Sequence, residues 1–348
     1  MKNLLFIILT IILSSCNSGN KGLVENTSII LAPEDAKING ISLVATNHPI
    51  TAAQIKPLAD FNANYTAIIP YAWMRAIDQP EIFYSEDRGD WGEKSNGVTI
   101  TNQLLNDQGI SAMIKPQIWI RRGDYTGHIK LTKEEDWQLL EKTYSSYIMR
   151  FVKIAEEKNI PLFCIGTELD SFVDARPEYW NNLIKEIRSI YKGQLTYAAN
   201  WDSYKRVHFW NELDFIGVDA YFPMCDLKTP DPENINASWG KWKAELVSVS
   251  QKHHNKKILF TEYGYISADF AGREPWKNAP EEYGVNQEAQ QILYEGLFKN
   301  VWNEKWMAGG FFWKYHAEDS RWHGFEKRFT PQNKKAAQTI TDAYRKSS

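Results

Sequence analysis

Cysteine is scarce in this sequence: three residues in 348, at positions 16, 164 and 225. A disulfide framework needs more, and a zinc site needs tighter clustering of ligands. Cys164 and Cys225 fall at or near expected strands and read as packing thiols. Net charge is also missing, since 40 Lys and Arg oppose 43 Asp and Glu, for a formal charge of −3. That balance offers nucleic acid no basic face. No glycine-rich phosphate loop and no HExxH pattern is present. The seven His are scattered, with only His253 and His254 adjacent. Phosphoryl transfer and metal hydrolysis are therefore disfavoured, and no metal is expected. No low-complexity block or change of composition interrupts the chain beyond residue 36.

Long apolar runs are absent apart from one at the N-terminus, "MKNLLFIILTIILSSC". Its apolar part, Leu4 to Leu13, is too short for a stop-transfer helix. "LSSC" resembles a bacterial lipobox, in which the Cys becomes the lipidated first residue. An ordinary secretory signal is the alternative. Residues 1–15 are read as a lipoprotein signal peptide, Cys16 as the lipidation site, and the polar stretch 16–36 as a flexible tether. The expectation is an exported bacterial lipoprotein, anchored through Cys16 to a membrane, at the periplasmic side of the outer membrane or the cell surface.

Aromatic residues are abundant: 14 Trp, 17 Tyr and 16 Phe. That exceeds what a core needs. Trp and Tyr exposed in a cleft grip flat, partly apolar ligands such as sugar rings, with an aromatic-rich core as the competing explanation. Over residues 37–348, short β-rich runs alternate with longer helical patterns. The runs are 38–45, 65–73, 110–120, 160–169, 195–201, 214–223, 257–265 and 309–315. Helical spacing marks 136–159, 177–192, 237–254, 286–303 and 331–346. Eight strands alternating with helices predict a single-domain (β/α)₈ TIM barrel. An open doubly wound sheet would carry a glycine-rich turn after the first strand, and none follows "ISLVA". Extra length falls in loops at 74–97, 224–236 and 266–285.

Catalytic residues in such barrels come from strand C-termini. The fourth run ends in Thr167-Glu168 and the seventh in Thr261-Glu262. A buried strand has no reason to end in an unpaired carboxylate. If the two strands face each other across the mouth, both glutamates enter one cleft. Strict alternation supports this by placing Ile258, Phe260 and Glu262 on one face and Cys164, Gly166 and Glu168 on another. Paired carboxylates at a sugar-sized cleft are the machinery of glycoside hydrolysis, one protonated and one ionised. A salt bridge at each strand end is the structural alternative. Tyr221 stands ready to donate a hydrogen bond to the ionised member.

Lys115, Gln117 and Trp119 share a face. Lys115 is read as a donor to sugar hydroxyls, with a structural ion pair as the alternative, and Trp119 as a sugar-stacking ring. Tyr71, Trp73 and Arg75 share a face at the end of the second run; one of the three is expected to reach the cleft, with Trp73 taken as the substrate-binding candidate. Trp201 is expected to point away from Asn200. Asp219 reads as a structural acid of the interior, and Asp170 as a rim residue. His316, Trp322 and His323 are candidates for a subsite wall.

Six segments, "KPQIW" (115–119), "IGTEL" (165–169), "YWNNLIKEIRSIYKGQLTYAANWD" (179–202), "FWNELDFIGVDAYFP" (209–223), "FTEYGY" (260–265) and "GGFFWKY" (309–315), carry a resemblance. The chain resembles the glycoside hydrolases of clan A, and within them family 113, the β-mannanases, over roughly 38–330. The resemblance implies retaining hydrolysis of β-1,4-mannosidic bonds in mannan or manno-oligosaccharides, without a cofactor. By position, Glu168 resembles the acid/base, Glu262 the nucleophile, and Trp313 the sugar platform beside the cleavage point. Most of the clan place Asn before the acid/base, against the sugar 2-hydroxyl. Thr167 stands here, as in family 113, so Asn200 is the expected source of that contact. Another clan A specificity, for β-glucan or β-galactan, and a non-catalytic surface glycan-binding lipoprotein are the competing functions. The intact glutamate pair argues against the last.

Overall fold

Eight parallel strands close into a barrel: β1 (Ile38–Leu43), β2 (Tyr65–Ile68), β3 (Ser111–Ile114), β4 (Leu162–Thr167), β5 (Gln194–Asn200), β6 (Ile216–Asp219), β7 (Ile258–Tyr263) and β8 (Met307–Tyr315). Neighbours in sequence are neighbours in the sheet, and β1 closes the ring against β8. The protein is a (β/α)₈ barrel. The computed structural model describes residues 36–318 and 324–347. The expected signal peptide, Cys16, nearly all of the tether, Trp322 and His323 lie outside the described residues.

Two apolar cores follow from strand alternation. Ile38, Tyr65, Ala67, Met113, Leu162, Cys164, Ala198, Leu259 and Phe311 fill the barrel interior. Phe311 lies so close to Gly40 that a Cβ there would come within 2.3 Å of its ring. The larger core lies between strands and helices. Helix Pro177–Ile190 shows why its sequence is helical: Pro sits in the first turn, and Trp180, Leu183, Ile184 and Ile187 form one buried stripe. Each such side chain contributes about 1.5–3 kcal/mol on burial. Helices Glu134–Glu157, Pro232–Lys252, Gln287–Leu297 and Lys335–Ser347 pack around the ring in the same manner. Between β5 and β6 the only helical element is a short 3₁₀ turn, Trp210–Glu212. Trp180, Trp210, Trp239 and Trp302 are fully buried, so part of the aromatic excess is core.

Three details of the expected strands are corrected. The runs 65–73 and 110–120 are not single strands. Each breaks at a proline, Pro70 and Pro116, which lacks the N–H a ladder needs. Beyond the break, Tyr71–Met74 and Gln117–Ile120 pair with each other as a separate parallel ribbon above the barrel. The second correction concerns β7. Between Phe260 and Glu262 it advances two residues while β6 advances one, from Val218 to Asp219. The count against β8 agrees, since Phe260 to Tyr263 spans Gly310 to Phe312. This is a β-bulge of one extra residue. Phe260 therefore faces outward onto Phe222 and Trp239. Leu259 and Thr261 face inward, and the bulge turns Glu262 inward as well. The third correction is on β4, where Cys164 to Thr167 spans Thr196 to Ala198 of β5. Cys164 faces the interior, whereas Gly166 faces Tyr144 and Trp180 on the helix side.

Candidate active site

The C-terminal mouth of the barrel opens into a cleft of about 510 Å³. Glu168 and Glu262 both line it, one from each bulged strand. Glu168 follows β4 with φ of 53°, a left-handed conformation that costs a non-glycine residue on the order of 1–3 kcal/mol. The surroundings hold it there. Its N–H donates to the Ala198 carbonyl (2.8 Å), and its own carbonyl accepts from Thr126 Oγ1 (2.9 Å). The next N–H, of Leu169, donates to Tyr197 Oη (2.8 Å). The backbone is thus fixed on both sides of the carboxyl group.

Glu262 is buried and surrounded by donors. Gln117 Nε2 donates to its Oε1 (2.8 Å) and Tyr221 Oη to its Oε2 (2.7 Å). Lys115 Nζ also donates to Oε1. Such bonds favour the ionised form. Tyr71 Oη, from the ribbon, fixes Gln117 through its Oε1 (2.5 Å). Beneath the pair lies a third carboxylate, Asp219, fully buried. It is 3.3 Å from Lys115 Nζ and accepts from Thr261 Oγ1 at 2.7 Å. Burial pushes Asp219 up to about 7, helped by the charge of Glu262 and opposed by Lys115 and Thr261. Burial works to lower Lys115, but Asp219 and Glu262 together outweigh it and hold the ammonium above its ordinary value.

Glu168 has the opposite surroundings. No side chain among the described residues donates to its carboxylate. Burial, then the charges of Asp219 and Glu262, push it well above the carboxylate range, with Lys115 opposing. Its neutral, protonated form is therefore the one these surroundings favour.

The other expected site residues divide. Trp119 lines the cleft and is 59% exposed, the most open large apolar side chain among the described residues. Trp313, Tyr221 and His316 line it too. Burial lowers the Lys314 ammonium and the His316 imidazole, the latter to about 4. Lys115 does not present its ammonium to a sugar. It is fully buried, and the ion pair with Asp219 and Glu262 replaces the expected contact, because an interior ammonium needs counter-ions. Asn200 stands behind the cleft wall. Its Nδ2 donates to Tyr125 Oη (3.0 Å), and Tyr125 in turn donates to Asp170 Oδ2 (2.8 Å). The cleft-lining group at that point is Tyr125. Trp73 is absent from the cleft lining, since its ring packs on Phe83 at 5.5 Å. Of its trio, Tyr71 is the one that reaches the cleft.

Sequence reasoning passed over Tyr125 and Trp276. Tyr125 sits in an aperiodic loop, "RRGDYTGH", where period carries no information. Trp276, 40% exposed, stacks on Trp201 at 5.3 Å and 22°. The loop that carries it is tied to the loop after β6 by Arg273–Asp226 and by Met224 N–H to the Gly272 carbonyl. Trp119 rises from the β3 side and Trp276 from the β7 loop, so indoles border opposite parts of the rim.

The fold is similar to that of a family 113 β-mannanase from Alicyclobacillus acidocaldarius, solved in complex with ManMIm. That similarity has a TM-score of 0.79 at 21% identity, covering 90% of this chain and 98% of the other. A second family 113 structure, a β-1,4-mannanase, matches with a TM-score of 0.76 at 20% identity, covering 90% and 99%. A β-glucuronidase from Faecalibacterium prausnitzii matches at 0.59 and 13% identity, covering 89% of this chain and 49% of that one. Among curated proteins nothing matches. Residues 45–333 match the model of Glycoside Hydrolase Family 113, so the chain belongs to that family and is a glycoside hydrolase.

Proposed function

We propose that the protein hydrolyses β-1,4-mannosidic bonds with retention, Glu168 acting as acid/base and Glu262 as nucleophile. The observation that carries this reading is the asymmetry of the pair. Glu262 accepts hydrogen bonds from Lys115, Gln117 and Tyr221, as suits a carboxylate, whereas burial and neighbouring negative charge favour the neutral form of Glu168. In the first step an oxygen of Glu262 bonds to the anomeric carbon. The bond to the leaving oxygen breaks, and that oxygen takes the Glu168 proton. In the second step Glu168, now ionised, takes a proton from water as that water displaces Glu262. Trp313 and Trp119 offer flat surfaces for sugars along the cleft. The mannosidic specificity is supported by family membership and by the β-mannanases that share the fold.

Product analysis after incubation with linear β-1,4-mannan tests this. Manno-oligosaccharides from the wild type and none from Glu262→Ala are expected. Hydrolysis of β-glucan or β-galactan in place of mannan would overturn the substrate. We also propose anchoring through Cys16. Loss of lipid label and of membrane association in Cys16→Ser is the expected result, and an unchanged membrane fraction would refute it.

A further inference from the structure

Lys115 raises a question of charge balance that the two catalytic glutamates leave open. In the free enzyme its ammonium bonds to Glu262 and lies 3.3 and 3.4 Å from the two oxygens of Asp219, all in a site without solvent exposure at Lys115 or Asp219. During turnover Glu262 becomes an ester and loses its charge. A buried ammonium left without a counter-ion is costly. Asp219 is the remaining carboxylate within ion-pair distance of Lys115 among the described residues. It is fixed from the other side by Thr261.

We propose that Asp219 is a positioning residue, the standing counter-ion that keeps Lys115 charged and in place while Glu262 alternates between carboxylate and ester. The inference rests on the double-displacement reading above. The charges balance through the cycle. Before attack, in the state with Asp219 ionised, Lys115⁺, Asp219⁻, Glu262⁻ and protonated Glu168 sum to −1. After attack, Glu262 is a neutral ester and Glu168 has given its proton to the leaving oxygen, and the sum is again −1. The one negative charge has moved from β7 to β4. While it sits on Glu262, it and Asp219 keep Glu168 protonated as the acid. Once it is gone, Glu168 is free to remain ionised as the base. Lys115 then pairs with Asp219 alone, still placed to receive the carboxylate that the second step regenerates.

The ionisable groups facing Glu168 are Lys115, Asp219, Glu262 and Asp170, with the phenols of Tyr71, Tyr125, Tyr197 and Tyr221 around them. Asp219→Asn removes one charge from this set and leaves its shape. The expected result is a downward shift of the Glu168 titration by about one pH unit, with kcat lowered and KM little changed. The titration is followed in substrate-free protein by ¹³C NMR of carboxyl-labelled Glu, assigned with Glu168→Gln. A merely structural Asp219 would leave that titration in place, and this overturns the proposal. Because no substrate is involved, inactivity on mannan would strike only the mannanase reading. A second arm covers poor folding of the single variant. Lys115→Met with Asp219→Asn removes the ion pair whole, so the double variant is expected to melt higher than Lys115→Met alone. A lower melting temperature contradicts the pairing.

Discussion

The β4 and β7 sides of the cleft each end in glutamate after threonine, and each strand carries one extra residue just before its acid. There the likeness stops. On the β7 side, three donors, from just beyond β6, just beyond β3 and the ribbon, converge on Glu262. On the β4 side, the backbone of Glu168 is clamped while its carboxyl group has no side-chain donor among the described residues. One side invests its hydrogen bonds in charge, the other in position. On the proposed reading, identical side chains thereby take opposite roles, and the difference comes from neighbours that neither glutamate's own sequence context reveals.

The comparison breaks most severely at Glu262. Its change to Ala is expected to lower kcat roughly 10⁴-fold or more, read by release of reducing ends. Azide added to that variant should yield an α-mannosyl azide, because it enters through the vacated β7 side. A β-azide would exchange the roles. Glu168→Gln should cost about 10²–10⁴-fold on mannan, but far less on an aryl mannoside whose leaving group needs no proton. In the wild type, activity should fall as the pH rises through the elevated pKa of Glu168, because the acid form is lost there. That limb should vanish on the aryl substrate in Glu168→Gln. Equal losses on both substrates would remove the acid role.

Smaller effects sharpen the contrast. Tyr221→Phe deletes one hydrogen bond to a charged group, worth about 1.5–3 kcal/mol. A kcat lowered roughly ten- to a hundredfold, with KM nearly constant, is expected. Trp119→Ala removes stacking surface remote from the reacting bond. A rise of about several-fold in KM for longer oligosaccharides, with kcat kept, should show in steady-state kinetics. A kcat effect larger than that of Tyr221→Phe would place Trp119 nearer the chemistry than its position on the ribbon suggests.

The barrel was legible because hydrophobic runs and their spacing are set by burial, which composition records directly. The glutamate pair was legible because carboxylates at strand ends have few structural uses. What escaped is instructive. Period-two alternation put Phe260 and Glu262 on one face, and a bulge put them on opposite ones. Bulges depend on pairing between distant strands, so a single strand does not announce them. Pro70 and Pro116 carried the signal for the broken strands, since neither can serve a central ladder, but 65–73 and 110–120 were each read as one run. Lys115 could be seen to need a function or a partner, but the choice required knowing that Asp219 and Glu262 lie across the barrel from it. Asn200 was expected to reach the cleft, yet Tyr125, from a loop without period, stands in front of it.

The most direct test of the account is to trap the intermediate. The protein would be incubated with an activated 2-deoxy-2-fluoro-β-mannoside, digested, and mapped by mass spectrometry. One added sugar, bonded to Glu262, is expected. A label on Glu168 or Asp219 would contradict it. So would hydrolysis of mannan with inversion and no covalent species at all.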